Sequence, residues 1–147
     1  MRRIALVLST VLVAACAKPE TPPAADMTAA PSINLADLTG TWTSVTTAPG
    51  SDSALVTSTI IASADPMAWT ITLPGRDPIP MNITVSGDSL MTASGPYESV
   101  LRPGVQVSTT GVLHLVNGQL TGPMVAHYTT TGADSVLNLV STATKAP

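Results

Sequence analysis

His114 and His127 are the two histidines of the 147-residue chain, and Cys16 is its one cysteine. Two imidazoles close together could hold a metal or share a proton, so their spacing comes first. Asn117-Gly118 lies between two runs of alternating apolar and polar residues, and it suits a two-residue type I′ hairpin loop. That loop sets Val116 opposite Gln119 and Leu115 opposite Leu120. Further down the ladder, His114 faces Thr121 and His127 faces Ser108. The histidines are then roughly 20 Å apart at ~3.3 Å per residue. A metal bonded to nitrogen at ~2 Å cannot bridge that gap, so each histidine stands alone on the polar face of the hairpin.

Nucleophile and carboxylate chemistry fare no better. Serines are abundant, but none sits in a Gly-x-Ser-x-Gly elbow on a strand-to-helix turn. Asp52, Asp65, Asp77, Asp88 and Asp134 fall in turn sequences, where aspartate accepts from nearby backbone amides. The expected protein is not an enzyme and needs no cofactor. The stretch Gly95 to Gly104 stands out instead, because it is longer than the other links and holds Tyr97, Glu98 and Arg102. Longer loops on a rigid sheet often carry function. Capping a barrel, it would turn Val100 and Leu101 inward and offer Arg102 to an anionic head group. As a plain crossover, it would pair Arg102 with Glu98, four residues earlier.

Short strands must position these groups. Eight segments can be counted, at 41–48, 54–62, 67–73, 79–86, 89–94, 105–116, 119–130 and 135–143, joined by links rich in Pro, Gly and Asp. Met67 to Leu73 and Ile79 to Ser86 alternate with period two, as half-buried strands do. In 54–62 and 89–94 the alternation is too weak to assign faces. In the 105–116/119–130 hairpin, Val107, Thr109, Gly111, Leu113 and Leu115 share the apolar face with Leu120, Gly122, Met124, Ala126 and Tyr128. No long helical period separates the segments, so parallel crossovers are excluded. The fold class is all-β, a small eight-stranded antiparallel up-and-down meander closed or nearly closed into a barrel, with a two-sheet sandwich as the alternative. Ile33 to Leu38 reads as one helical turn leading into it.

The N-terminus carries the remaining signal. Arg2-Arg3, an apolar run from Ile4 to Val13, and Val13-Ala14-Ala15-Cys16 make up a short secretory signal. It resembles the lipobox of bacterial lipoproteins. That resemblance implies cleavage after residue 15, acylation of Cys16, and a lipid-anchored location in the bacterial envelope, at the outer membrane since Ala17 rather than Asp follows the cysteine. Residues 16–32 read as a Pro-rich tether and 33–147 as the β-barrel domain. Without Arg2 and Arg3, four basic residues (Lys18, Arg76, Arg102, Lys145) face nine acidic ones, a balance that excludes nucleic-acid binding. Gly40-Thr41-Trp42 resembles the G-x-W motif opening lipocalin-type barrels. The resemblance implies that Trp42 closes the barrel floor against a late basic residue, of which Lys145 is the one present. Two functions follow from this: a non-catalytic binding or structural module that meets an envelope protein, or a carrier of a small apolar or amphiphilic ligand. For the carrier, Trp42, Trp69 and Tyr128 would line the interior, with Tyr97, Glu98 and Arg102 at its mouth.

Overall fold

The computed structural model describes residues 32–147. They form a closed barrel of eight antiparallel strands in simple sequential order, with the last strand pairing back onto the first. The strands are β1 (Gly40–Thr47), β2 (Ala54–Ala62), β3 (Trp69–Thr72), β4 (Ile79–Ser86), β5 (Ser89–Glu98), β6 (Gln106–Val116), β7 (Gln119–Tyr128) and β8 (Val136–Lys145). Closure rules out the sandwich, although the short β3 pairs only Thr59–Ile61 of β2 and Ile79–Met81 of β4. The β6–β7 hairpin has the register expected from Asn117-Gly118, with Val116 opposite Gln119, His114 opposite Thr121 and Ser108 opposite His127. Asn117 and Gly118 both have positive φ, as a type I′ loop requires.

Because the strands alternate up and down, the links gather at two poles. One pole, the floor, holds both ends of the barrel chain and the links 63–68, 87–88 and 117–118. The other pole, the mouth, holds the links 48–53, 73–78, 99–105 and 129–135. A four-residue helix, α1 (Leu35–Leu38), lies across the floor and is capped by the Asn34 side chain, which accepts from the Ala36 amide. Leu38 plugs the floor beneath Trp42, Ala62, Trp69, Leu90, Leu120 and Ala143. Each large apolar side chain buried there stabilises the fold by about 1.5–3 kcal/mol. Both indole N–H groups are satisfied by floor carbonyls: Trp42 donates to Leu38 O at 2.8 Å and Trp69 to Ser63 O at 2.7 Å.

Four expectations need correction. Met67 lies in the turn before β3 and is 70% exposed, so it does not continue the inward row of Trp69 and Ile71. Leu115 lies at the floor rim and is 47% exposed, although its partner Leu120 is buried. β5 does not end at Ser94. A register shift between Ser94 and Tyr97 carries it on to Glu98, and the bulge resets parity so that Tyr97 points inward with Ser94. β8 likewise runs two residues further than expected, which sets Lys145 directly opposite Trp42.

The outer wall is unusual in composition. Among the described residues, Glu98 and Lys145 are the only formally charged positions within strands, and both are strand ends. Thr, Ser and Val cover the rest, which suits a pleated surface.

Gly122 on β7 lies hard against the backbone of β6. A Cβ placed there would collide with the Val112 carbonyl oxygen, part of the backbone, which cannot swing aside. Gly122→Ala should therefore cost about 3 kcal/mol, the upper end of overpacking effects. Gly118→Ala meets nothing within 4 Å and should cost only the backbone strain of its positive φ, about 1–2 kcal/mol. Urea unfolding of both variants checks the order; equal losses would show that β6 and β7 can separate.

Candidate functional site

The interior changes character halfway up. Below, it is apolar and filled. Above, hydroxyls enter a lining that stays largely apolar: Ser44 on β1, Ser58 on β2, Thr92 and Ser94 on β5, Thr109 on β6 and Ser141 on β8 share one cavity with Val107, Met124 and Leu139. Ser44 and Ser141 hydrogen-bond across the β1–β8 seam at 3.0 Å, and Ser94 with Thr109 at 2.8 Å. The cavity measures about 60 Å³ and is lined by no formally charged side chain. Small-molecule pockets usually run to about 300–1,000 Å³, so this chamber has no room for a long acyl chain with its cover in place.

Tyr97, Val107 and Tyr128 stand side by side on β5, β6 and β7 near the mouth. Burial pushes the Tyr97 phenol above its usual 10.0, and Tyr128 adds to that push. The hydroxyls of Thr109 and Ser94 and the Arg76 guanidinium draw it part of the way back. Tyr97 is therefore a neutral hydrogen-bond donor and acceptor at any physiological pH.

The loop 99–105 covers this chamber, and its Ser99, Val100 and Leu101 are part of the lining. The loop is compact for local reasons. The buried Ser99 hydroxyl accepts from the amides of Leu101 (3.1 Å) and Arg102 (3.0 Å), while the Ser99 amide donates to Val105 O at 2.8 Å. Two arginines tie it to the rest of the mouth. Arg102 lies over the Tyr128 ring, 4.1 Å from its centroid, and donates to Asp134 O from the neighbouring 129–135 link. Arg76, in the β3–β4 link, donates to Glu98 O and sits 3.9 Å from its carboxylate, which in turn accepts from the Gly104 amide. With the Tyr128 ring buried and Arg102 half-buried, this cation–π contact is worth about 1–2 kcal/mol. The loop is thus held by a few modest contacts, far below the packing of the floor.

Of the residues singled out from sequence, the structure brings Tyr97, Glu98, Arg102 and Tyr128 together at the mouth. Arg102 does not pair with Glu98; Arg76 takes that role, and the Arg102 guanidinium is spent on Tyr128 and Asp134. Trp42 and Trp69 are inside the barrel but in the packed floor, away from the cavity. His114 and His127 keep the separation read from the hairpin, with His114 at the floor rim 3.9 Å from Asp88. Asp65 accepts from the Met67 amide at 2.9 Å, the turn role expected of it. Cys16 and the rest of 1–31 lie outside the described residues. Sequence reading missed the hydroxyl set and Arg76. The one available signal was parity, since Ser44 and Thr46 follow Trp42 at steps of two and Ser141 follows Leu139. Comparison with protein-family models, with curated proteins and with solved structures finds no match.

The Tyr97 phenol offers a direct check. Because its folded pKa is raised, the stability linked to it is complete below pH 10 and is lost as pH rises through the folded value. The absorbance difference at 295 nm between the protein and its Tyr97→Phe variant should show a step above pH 10, and the variant should lose stability less steeply there. A step at or below pH 10 would mean that the mouth is open to bulk water.

Proposed function

We propose that this chain is a lipid-anchored protein of the bacterial envelope, at the outer membrane, whose barrel is a non-catalytic binding module. The lipobox-like Val13-Ala14-Ala15-Cys16 supports the anchor. Several acyl chains on one cysteine, at about 0.8 kcal/mol per buried methylene, hold a protein to a bilayer almost irreversibly. The observation that carries the reading of the barrel is its polarity. The chain enters at the filled floor, where the Ile33 amide donates to Gly87 O at 2.9 Å, and the chamber lies at the opposite pole. An anchored barrel of this kind presents its mouth away from the point of attachment, toward solutes or proteins of the envelope.

Its chemistry favours binding over catalysis. The polar side chains facing the chamber are hydroxyls and phenols set among apolar ones, while both imidazoles lie on the outer wall and Glu98 and Arg102 are committed to structural contacts. The Lys145 ammonium stands 5.8 Å from the Trp42 ring centroid and donates to Asp37 O at 3.2 Å. This arrangement supports the lipocalin-type reading of Gly40-Thr41-Trp42, and with it a carrier of a small apolar or amphiphilic ligand as the second function. The cavity favours that second reading only for small cargo.

The anchor is tested by fractionation. The protein should sediment with membranes, and Cys16→Ala should move to the soluble fraction with loss of metabolic acyl labelling. A variant that stays with the membrane would remove the basis for the lipid anchor.

A further inference from the structure

We propose that the chamber beneath the 99–105 loop is a binding site for a small uncharged molecule bearing a hydroxyl or amide group, admitted past that loop. The assignment rests on reading the barrel as a binding module, and names its ligand class.

The lining makes the selection. Ser44, Ser58, Thr92, Ser94, Thr109 and Ser141 present hydroxyls from five strands to one space. A hydroxyl both donates and accepts, so the set can satisfy a neutral polar group in several orientations. A carboxylate or ammonium would lose its hydration with no opposite charge inside to replace it, a penalty that excludes ions from such a site. Arg102 does not relieve it, because its guanidinium lies over Tyr128 and on Asp134 O.

Size makes the second selection. At about 10–15 Å³ for each water, a cavity of about 60 Å³ takes the equivalent of about four to six waters, or a solute of about five non-hydrogen atoms. The apolar end of such a solute would sit toward Val107, Met124 and Leu139, which line the same space. Leu101 covers part of the space from the loop, and lifting the loop to widen the entry means parting Arg102 from Tyr128 and Asp134 O, the contacts it makes across the mouth.

The test is a methyl NMR titration of the full chain carrying Cys16→Ala, so that no acyl chain or detergent competes for the probe. The probes are 1-butanol, butyrate and 1-octanol. Butanol should give saturable shifts at the methyls of Met124, Val107 and Leu139. Butyrate should bind at least about tenfold more weakly, because of its charge, and octanol should not fit in a cavity of about 60 Å³. Thr109→Val, which keeps the shape but removes a hydroxyl, should weaken butanol severalfold. Arg102→Gln should speed exchange between free and bound butanol severalfold without shifting the outer-wall methyls. Butyrate binding as well as butanol would overturn the assignment. So would shifts confined to the outer-wall Met91 and Val112, though these would leave a binding module standing. Exchange unchanged in Arg102→Gln would overturn the latch.

Discussion

Closure of this barrel depends on the Trp42 indole. Trp42 sits on the strand where the sheet meets itself, opposite Ile60 on one side and Lys145 on the other. Its ring fills the floor, and its N–H donates to Leu38 O. That bond draws α1 across the barrel end, and Leu38 then seals it. A closed sheet of eight strands leaves an interior just wide enough for side chains to fill. The ladder from Trp42–Lys145 to Thr47–Val140 and the Ser44–Ser141 hydrogen bond join β1 to β8, and Trp42 fills the space behind that seam. The stem of Lys145 runs across the face where Gly40 has no side chain, and a Cβ there would come 3.0 Å from Lys145 Cε. Gly40, Trp42 and Lys145 therefore act as one unit, with the ammonium over the indole as a modest supplement to its burial.

From the filled floor follows the asymmetry of the rest. The apolar core continues upward as a smaller cluster of Val107, Ala126, Tyr128 and Leu139, hydroxyls enter beside it, and the 99–105 loop closes the mouth. The scarce charges are placed accordingly. The described residues contain three cations, Arg76, Arg102 and Lys145, and each closes an end of the barrel: Lys145 the floor, and the two arginines the mouth. Between the poles, the wall carries polar side chains and hydrophobic ones but almost no formal charge. The energies separate the two ends. Burial at the floor involves the larger cluster, while the 99–105 loop is held over the smaller mouth cluster by a half-buried cation–π contact and a few hydrogen bonds, a scale at which segments open locally without global unfolding.

Much of the fold was legible in the sequence, because turn chemistry and alternation agree. Asn117-Gly118 settled a register over the whole β6–β7 hairpin, and the Pro, Gly and Asp links marked the other strands. Where alternation failed, the reason is now physical. Segments 54–62 and 89–94 gave no clear faces because Ser58, Thr92 and Ser94 are inward residues with the polarity of surface ones. The same substitution of hydroxyls for hydrocarbon that made these strands ambiguous is what forms the chamber. The end of β5 was misread because Gly95-Pro96 looks like a break, whereas the chain uses it as a bulge that turns Tyr97 inward. Arg102 was recognised as belonging to the mouth, but its partners come from β7 and the 129–135 link. Nothing local in the sequence reports such distant contacts.

One pole of the barrel is fixed, and the loop at the other can open while the barrel stays folded. Native-state hydrogen exchange under mild urea measures this directly. The amides of Leu101, Arg102, Gly104 and Val105 should exchange through an opening that is nearly independent of urea. The seam amides of Ser44 and Ala143 should exchange only through global unfolding, with an opening free energy larger by ~2 kcal/mol or more. If both sets shared one free energy and one urea dependence, the loop would be part of the cooperative core, and the account of a barrel with an openable mouth would be wrong.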